Sequence, residues 1–232
     1  KFILIFLKYA SLVFFSLVAI IPLVSCVITA FKTDAEYNST NVMTPPSSWL
    51  YFENFVSAFK KAGMGRAFIN STIILIAVLI LSVFIGTQLA YVLNRFKFFG
   101  NTLIRNLFLV ACQLPGVAMQ IAVYEMMYKL GFINNMFGYI LMTCGTDVIS
   151  IYIYIQFFEN IDYSLDESAI MDGASYFTIF YKILLPLLKP AIVTACILKG
   201  VGTYNEYYNA NLYLQDKKRY ATVATSLYTF VG

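Results

Sequence analysis

Histidine is absent from all 232 residues. That removes the commonest metal ligand and the side chain that titrates nearest neutral pH, and with them a His-based metal centre or proton shuttle. Charge is scarce too. Only 12% of residues are Asp, Glu, Lys or Arg, against about 25% in a soluble domain. The four cysteines, Cys26, Cys112, Cys144 and Cys196, stand far apart, each inside an apolar run. That is neither zinc spacing nor a disulfide framework, and they read as small apolar fillers. There is no phosphate-cradling glycine loop, so ATP is not bound in the usual way. No His pair, nucleophile elbow or metal cluster supports an enzyme. Heptads, short repeats and internal duplication are missing as well. The net charge of +4 is spread out, with no basic stripe for nucleic acid. Asn38-Ser39-Thr40 and Asn70-Ser71-Thr72 match the glycosylation pattern, but a three-residue match carries little.

Apolar surface is abundant. The chain is 60% hydrophobic with mean hydropathy +0.74, so it cannot cover itself with polar groups in water. The class is membrane protein. A hydrocarbon core of about 30 Å needs about 20 apolar residues as helix. Five spans are expected: 2–31, kinked at Pro22; 67–92; 103–127, interrupted by Pro115-Gly116; 137–158; and about 185–214. The first is too long for a signal-peptide core. The fold class is all-α, a polytopic bundle of membrane helices in one domain over 1–232. Residues 32–66 form an external loop. Pro45-Pro46-Ser47-Ser48 marks irregular chain, and Phe52, Phe55, Val56 and Phe59 recur at helical spacing. They suit an amphipathic helix lying at the interface or docking a partner, with Trp49 and Tyr51 at headgroup depth. Arg95, Lys97 and Arg105 make one short loop basic and therefore cytoplasmic. Lys60, Lys61 and Arg66, like Lys217, Lys218 and Arg219, would then fall outside, so the positive-inside count alone leaves orientation open. Tyr220 to Gly232 can begin another helix but is too short to cross. With Lys1 at the start, the chain reads as a fragment.

One polar segment interrupts the apolar runs, within a cytoplasmic loop placed at 159–186. Ser164 and Glu167 have capping-box spacing and predict the start of a short helix. Gly173, following Asp172, predicts its left-handed stop. Ser175 predicts the cap of a second helix, and Pro186 a kink within it.

Glu167-Ser168-Ala169, then Gly173, then Ile183, Leu185 and Pro186 resembles the EAA signature of ABC importer permeases, with Ser168 in place of Ala. In that family the segment is a cytoplasmic coupling helix that docks on an ATPase subunit. Other stretches resemble the carbohydrate-importing, maltose-type branch: Pro45-Pro46-Ser47-Ser48-Trp49 before Glu53-Asn54-Phe55; Asn70-Ser71; Ala90-Tyr91 before Arg95-Phe96-Lys97-Phe98-Phe99-Gly100; Leu114-Pro115; Lys129 to Asn134; and Tyr204-Asn205-Glu206-Tyr207, with Tyr for the family's Trp. The resemblance implies a bacterial plasma-membrane protein with six spans, the last missing here, and a second permease, forming a heterodimer. It also implies two ATPase subunits or domains that bind ATP and Mg, an extracellular solute-binding protein and a sugar cargo. No cofactor, metal or catalytic residue is expected in this chain. Coupling falls to Glu167, Ser168, Ala169, Asp172, Gly173, Ile183, Leu185 and Pro186.

Charges inside spans are expensive and usually face a cavity or partner. Asp147, Lys199, Tyr204, Asn205 and Glu206 are candidates for the translocation path. Lys199 and Glu206 lie two turns apart, about 10 Å, too far for a simple pair. They form a polar stripe along the path, or Glu206 sits near the outer interface while Lys199 snorkels or meets the second permease. Glu125 and Lys129 suit an interfacial pair. Tyr204, Tyr207 and Tyr208 either stack on sugar rings or anchor at the interface. Two other readings stay open: an ABC permease for another solute, and an ion-coupled carrier using Asp147, Lys199 and Glu206 as relays.

Overall fold

The computed structural model describes residues 2–145 and 147–231, and every regular element among them is a helix. The chain divides into two compact units, 1–64 and 65–232.

The first unit holds α1 (Phe2–Ala30), α2 (Asp34–Ser39) and α3 (Glu53–Lys61). α1 contains Pro22 and is exposed along most of its length. Its apolar side chains would be untenable in water and suit lipid. The loop after it is tightly built. Thr33 and Glu36 form a capping box at the start of α2, satisfying two orphan amides reciprocally. Glu36 also accepts from Ser47 N at 2.9 Å. Hydrogen bonds from Ser47 and then Thr33 hold its carboxyl at about 2. Lys32 is buried, and its Nζ donates to Thr40 Oγ1 and the Asn41 carbonyl. Asn54 donates to the carbonyls of Ala30 and Lys32, which ties α3 to the end of α1. Phe31 meets the rings of Trp49, Phe52 and Phe55. Part of the apolar side of α3 is thus spent on α1.

The second unit is organised around α4 (Met64–Arg95), a rod of 32 residues, about 48 Å at 1.5 Å per residue. Next come α5 (Asn101–Gln113), α6 (Gly116–Lys129), α7 (Met136–Gly145), α8 (Val148–Glu159) and the short α9 (Ser164–Met171). They are followed by α10 (Tyr176–Leu187), α11 (Lys189–Asn205), α12 (Tyr208–Tyr213), α13 (Lys217–Tyr220) and α14 (Val223–Val231). Two described helices are long and apolar enough to cross a membrane alone, or up to five if each bent pair counts as one span. The expected third span is broken at Leu114-Pro115 into α5 and α6, which meet at 109°. Proline supplies no amide to carry the helix across.

The fifth span also departs from expectation. Pro186 lies just past a π-helical turn, Ile179–Leu184, inside α10. The sharp bend of 70° falls later, between α10 and α11. Leu188 leaves the helix there, two residues before Pro190. Pro190 lacks an amide and its ring crowds the carbonyl four residues back. Leu185–Leu187 therefore belong to the approach, the straight segment starts at Lys189, and the helix ends at Asn205 rather than near 214.

Two cores line α4. Near its end, Ala90, Tyr91 and Leu93 pack with Ile155 and Phe158 of α8, Ala169 of α9 and Phe180 of α10. Near its start, Ile74 and Val78 pack with Met127, Tyr139 and Tyr213. Asn70 and Ser71, buried, serve that second region. Asn70 donates to the carbonyls of Arg219 and Ala221, and Ser71 Oγ accepts from Val223 N. A buried amide with two such bonds is a structural tie and not an open glycosylation acceptor. The neighbouring cations are occupied as well. Arg66 donates to the Lys218 carbonyl, and Lys217 Nζ to that of Leu214 at the end of α12. A cation at a helix C-terminus offsets the orphan carbonyls there. Burial pulls the Lys217 ammonium below its usual range.

Candidate functional site

The polar segment folds into α9, a stop, and the start of α10. Its capping box does not form. The helix is entered at Tyr163, and the Ser164 amide donates to Asp162 Oδ1 at 2.9 Å. The Asp162 carboxylate thus takes the amide that Glu167 would have accepted, the Glu167 amide bonds the Tyr163 carbonyl instead of the Ser164 hydroxyl, and bonds from Ser164 hold the Asp162 carboxyl below its usual range. The stop is as expected. Gly173 has φ +81 and donates to the Ile170 carbonyl, while Ala174 N reaches the Ala169 carbonyl. That pair of bonds is a Schellman motif. Ser175 Oγ then accepts from Thr178 N and caps α10.

Of the eight residues of α9 only Asp166 and Ala169 are buried. Glu167, Ser168, Asp172 and Gly173 are exposed, as are Ile170 and Met171. Ala169 faces the core, so the outward side is made by Glu167, Ser168 and Met171. Farther on, Ile183 and Leu185 are half-buried against the core, and Pro186 is exposed.

A buried pair fixes the helix. Arg95, the last residue of α4, meets Asp166 at 3.2 Å, each side chain 6% exposed. Arg95 also donates to the carbonyls of Ile161 at 2.9 Å and Phe158 at 3.4 Å, just past and within the end of α8. Its guanidinium lies over the Tyr163 ring, and the Tyr163 hydroxyl donates to the Arg95 carbonyl at 2.8 Å. Burial pushes the Asp166 carboxyl up, while Arg95 beside it pulls back. Sequence reasoning counted Arg95 as a loop charge and as the start of a stretch resembling the family pattern, without a partner, and passed over Tyr163. The usable signal was an arginine and an aspartate bordering apolar runs in a chain with little charge.

The second candidate set lies elsewhere in the unit. Asp147, at the start of α8, meets Lys199 of α11 at 3.8 Å. Lys199 Nζ also donates to the Thr143 carbonyl at 2.8 Å. These residues and Glu206 line a cavity of about 310 Å³ with Tyr139, Ser150 and Asn209. Glu206 Oε1 accepts from Asn209 N. Tyr204 and Asn205 are outside that lining; Asn205 bonds back to its own helix at Val201. Lys199 is thus satisfied within the chain, by a partner that helical spacing did not reveal. Glu125 and Lys129 pair at 3.8 Å on the surface of α6.

Residues 80–225 match the family of binding-protein-dependent transport system inner membrane components. The chain belongs to that family. One relative of this permease component is the diacetylchitobiose uptake system permease protein NgcG of Streptomyces coelicolor, 28% identical over 202 residues, covering 87% of this chain and 66% of NgcG. The chain thus spans just under two thirds of that relative. Another is the maltodextrin transport system permease protein MalD of Streptococcus pneumoniae, 28% identical over 227 residues, 97% of this chain and 80% of MalD. The component also superposes on a chain from the crystal structure of a bacterial ABC transporter involved in the import of the acidic polysaccharide alginate. The TM-score is 0.85, with 22% identity, over 96% of this chain and 78% of that one. At that identity the likeness speaks for the fold alone, an all-helical bundle.

Proposed function

We propose that the chain is the permease subunit of an ATP-driven importer of sugars or oligosaccharides in a bacterial plasma membrane. It forms half of the path with a second permease. Two cytoplasmic ATPase subunits or domains bind ATP and Mg, and an extracellular solute-binding protein delivers cargo. Membership of the binding-protein-dependent family supports the class. The uptake and transport names of NgcG and MalD support sugar as cargo.

The observation that carries the coupling role is the build of α9. It is short, stopped by Gly173, held at Asp166, and bare on the side of Glu167, Ser168 and Met171. A motor needs a stiff handle that sits outside the core yet is fixed to it. Glu167, Ser168 and Asp172 offer contacts to the ATPase. Ala169 and Gly173 set the helix position and end, while Ile183, Leu185 and Pro186 join it to the bundle. Asp147, Lys199 and Glu206 line the path on this subunit, with Tyr204 and Asn205 beside them. Their cavity presents hydroxyl, amide, carboxylate and ammonium groups, which suit a hydroxyl-rich cargo.

The test is purification of the complex from native membranes, followed by uptake in vesicles. A second permease, an ATPase and a binding protein should copurify. Uptake of labelled oligosaccharide should need ATP and survive an ionophore. Uptake indifferent to ATP and abolished by the ionophore would point instead to an ion-coupled carrier.

A further inference from the structure

We infer that Arg95 is a positioning residue for transport, the link through which motion of α9 reaches the long rod α4. This rests on the proposed coupling role of α9 and adds to it a named residue outside that segment.

The attachment is narrow. Asp166 and Ala169 are the only buried residues of α9, so packing alone gives the helix one small methyl side chain as a foothold. The rest is polar and converges on Arg95. Its fork meets the Asp166 carboxylate and the carbonyls of Phe158 and Ile161. Carbonyls at the end of α8 carry partial negative charge, and Asp166 stands in the first turn of α9. One guanidinium therefore serves two helix ends that point unlike groups at it. Tyr163 closes the link from the other side, binding the Arg95 carbonyl with its hydroxyl. A push on the outward face of α9 then goes to Arg95 and along α4. Lysine would keep the charge but lose the fork, since its ammonium is a compact point charge on a flexible stem.

The experiment uses the complete importer in proteoliposomes and reads sugar moved per ATP hydrolysed. Arg95→Gln and Asp166→Asn remove the pair. Arg95→Lys and Tyr163→Phe are milder variants that keep charge or ring. Arg105→Gln, which breaks the separate Arg105–Glu159 pair, is the control for loss of an arginine. Each removal should lower sugar per ATP about tenfold while hydrolysis continues, and the double variant should be no worse than the worse single, because both delete one interaction. Arg95→Lys and Tyr163→Phe should give smaller losses of the same kind, and Arg105→Gln none. Unchanged ratios in Arg95→Lys and Tyr163→Phe, or additive losses in the double, would overturn the inference even if the other variants fail to assemble. A parent whose uptake needs no ATP overturns the coupling reading and the inference with it; a pumping parent with unaltered variants overturns the inference alone.

Discussion

Lys199 of α11 and Asp147 at the start of α8 meet at 3.8 Å, with side chains 16% and 9% exposed. Two charges with so little of their side chains exposed compensate each other as a pair. Asp147 Oδ2 is buried with no hydrogen bond among the described residues, so Lys199 is the main compensation for that carboxylate among them.

Lys199→Met should therefore destabilise the protein by about 3–5 kcal/mol, the cost of leaving one buried charge alone. Removing both charges, Lys199→Met with Asp147→Leu, should recover much of that loss. Thermal unfolding in detergent decides it. Equal loss in the single and double variants would show that the pair is not what matters.

Gly173 stops α9 at φ +81, and an added Cβ would meet nothing within 4 Å. The penalty for a side chain is thus backbone strain alone, about 1–2 kcal/mol for Ala and less for Asn. Proline cannot adopt that φ and loses the bond to Ile170. Uptake should fall in the order Asn, Ala, Pro, with Gly173→Pro and the surface change Glu167→Lys hydrolysing ATP without transport. Uptake assays beside ATPase assays check this; normal uptake by Gly173→Pro would count against it.

Gly138 of α7 is a different case. A Cβ there would lie 2.4 Å from Phe132 Cβ, an atom close to the backbone of its own residue. The turn cannot give freely, because Asn134, two residues on, donates to the Tyr213 carbonyl. Gly138→Ala should cost about 1–3 kcal/mol through overpacking, and Gly138→Ala with Phe132→Gly, which removes the opposing Cβ, should relieve the clash at the price of a cavity and a freer backbone. Melting curves of the three forms measure it.

The loop of the first unit should respond to acid. The folded carboxyl of Glu36 sits at about 2, below its ordinary 4.5. A depressed carboxyl contributes stability that is present above the ordinary value and lost as pH falls through the folded one. The amides of Thr33 and Ser47 should therefore exchange faster, relative to unbonded amides nearby, as pH drops from about 5 toward 2. Glu36→Gln should abolish that dependence. Hydrogen exchange across this range reads it directly.

Much of this was legible in the chain. Apolar runs mark every long helix, Gly173 and Ser175 mark a stop and a cap, and the paired prolines mark the loop that Glu36 and Asn54 tie down. Those signals are local, carried by residues within a turn or two. What escaped depends on the packing of distant segments. No spacing rule joins Arg95 to Asp166, Asp147 to Lys199, or Asn70 to the carbonyls of Arg219 and Ala221. The capping box failed because both of its donors are taken: the Ser164 amide by the Asp162 carboxylate, and the Glu167 amide by the Tyr163 carbonyl. The bend fell near Pro190 and not at Pro186, because a π-helical turn had already absorbed the earlier proline.

The central claim is that α9 meets a nucleotide-driven motor. Met171, 88% exposed, is the place to ask. In Met171→Cys, within the assembled transporter, a short thiol cross-linker should join this chain to an ATPase subunit, and the yield should change when ATP is bound. No adduct with any ATPase, or labelling of the cysteine by an impermeant reagent added to intact cells, would contradict it.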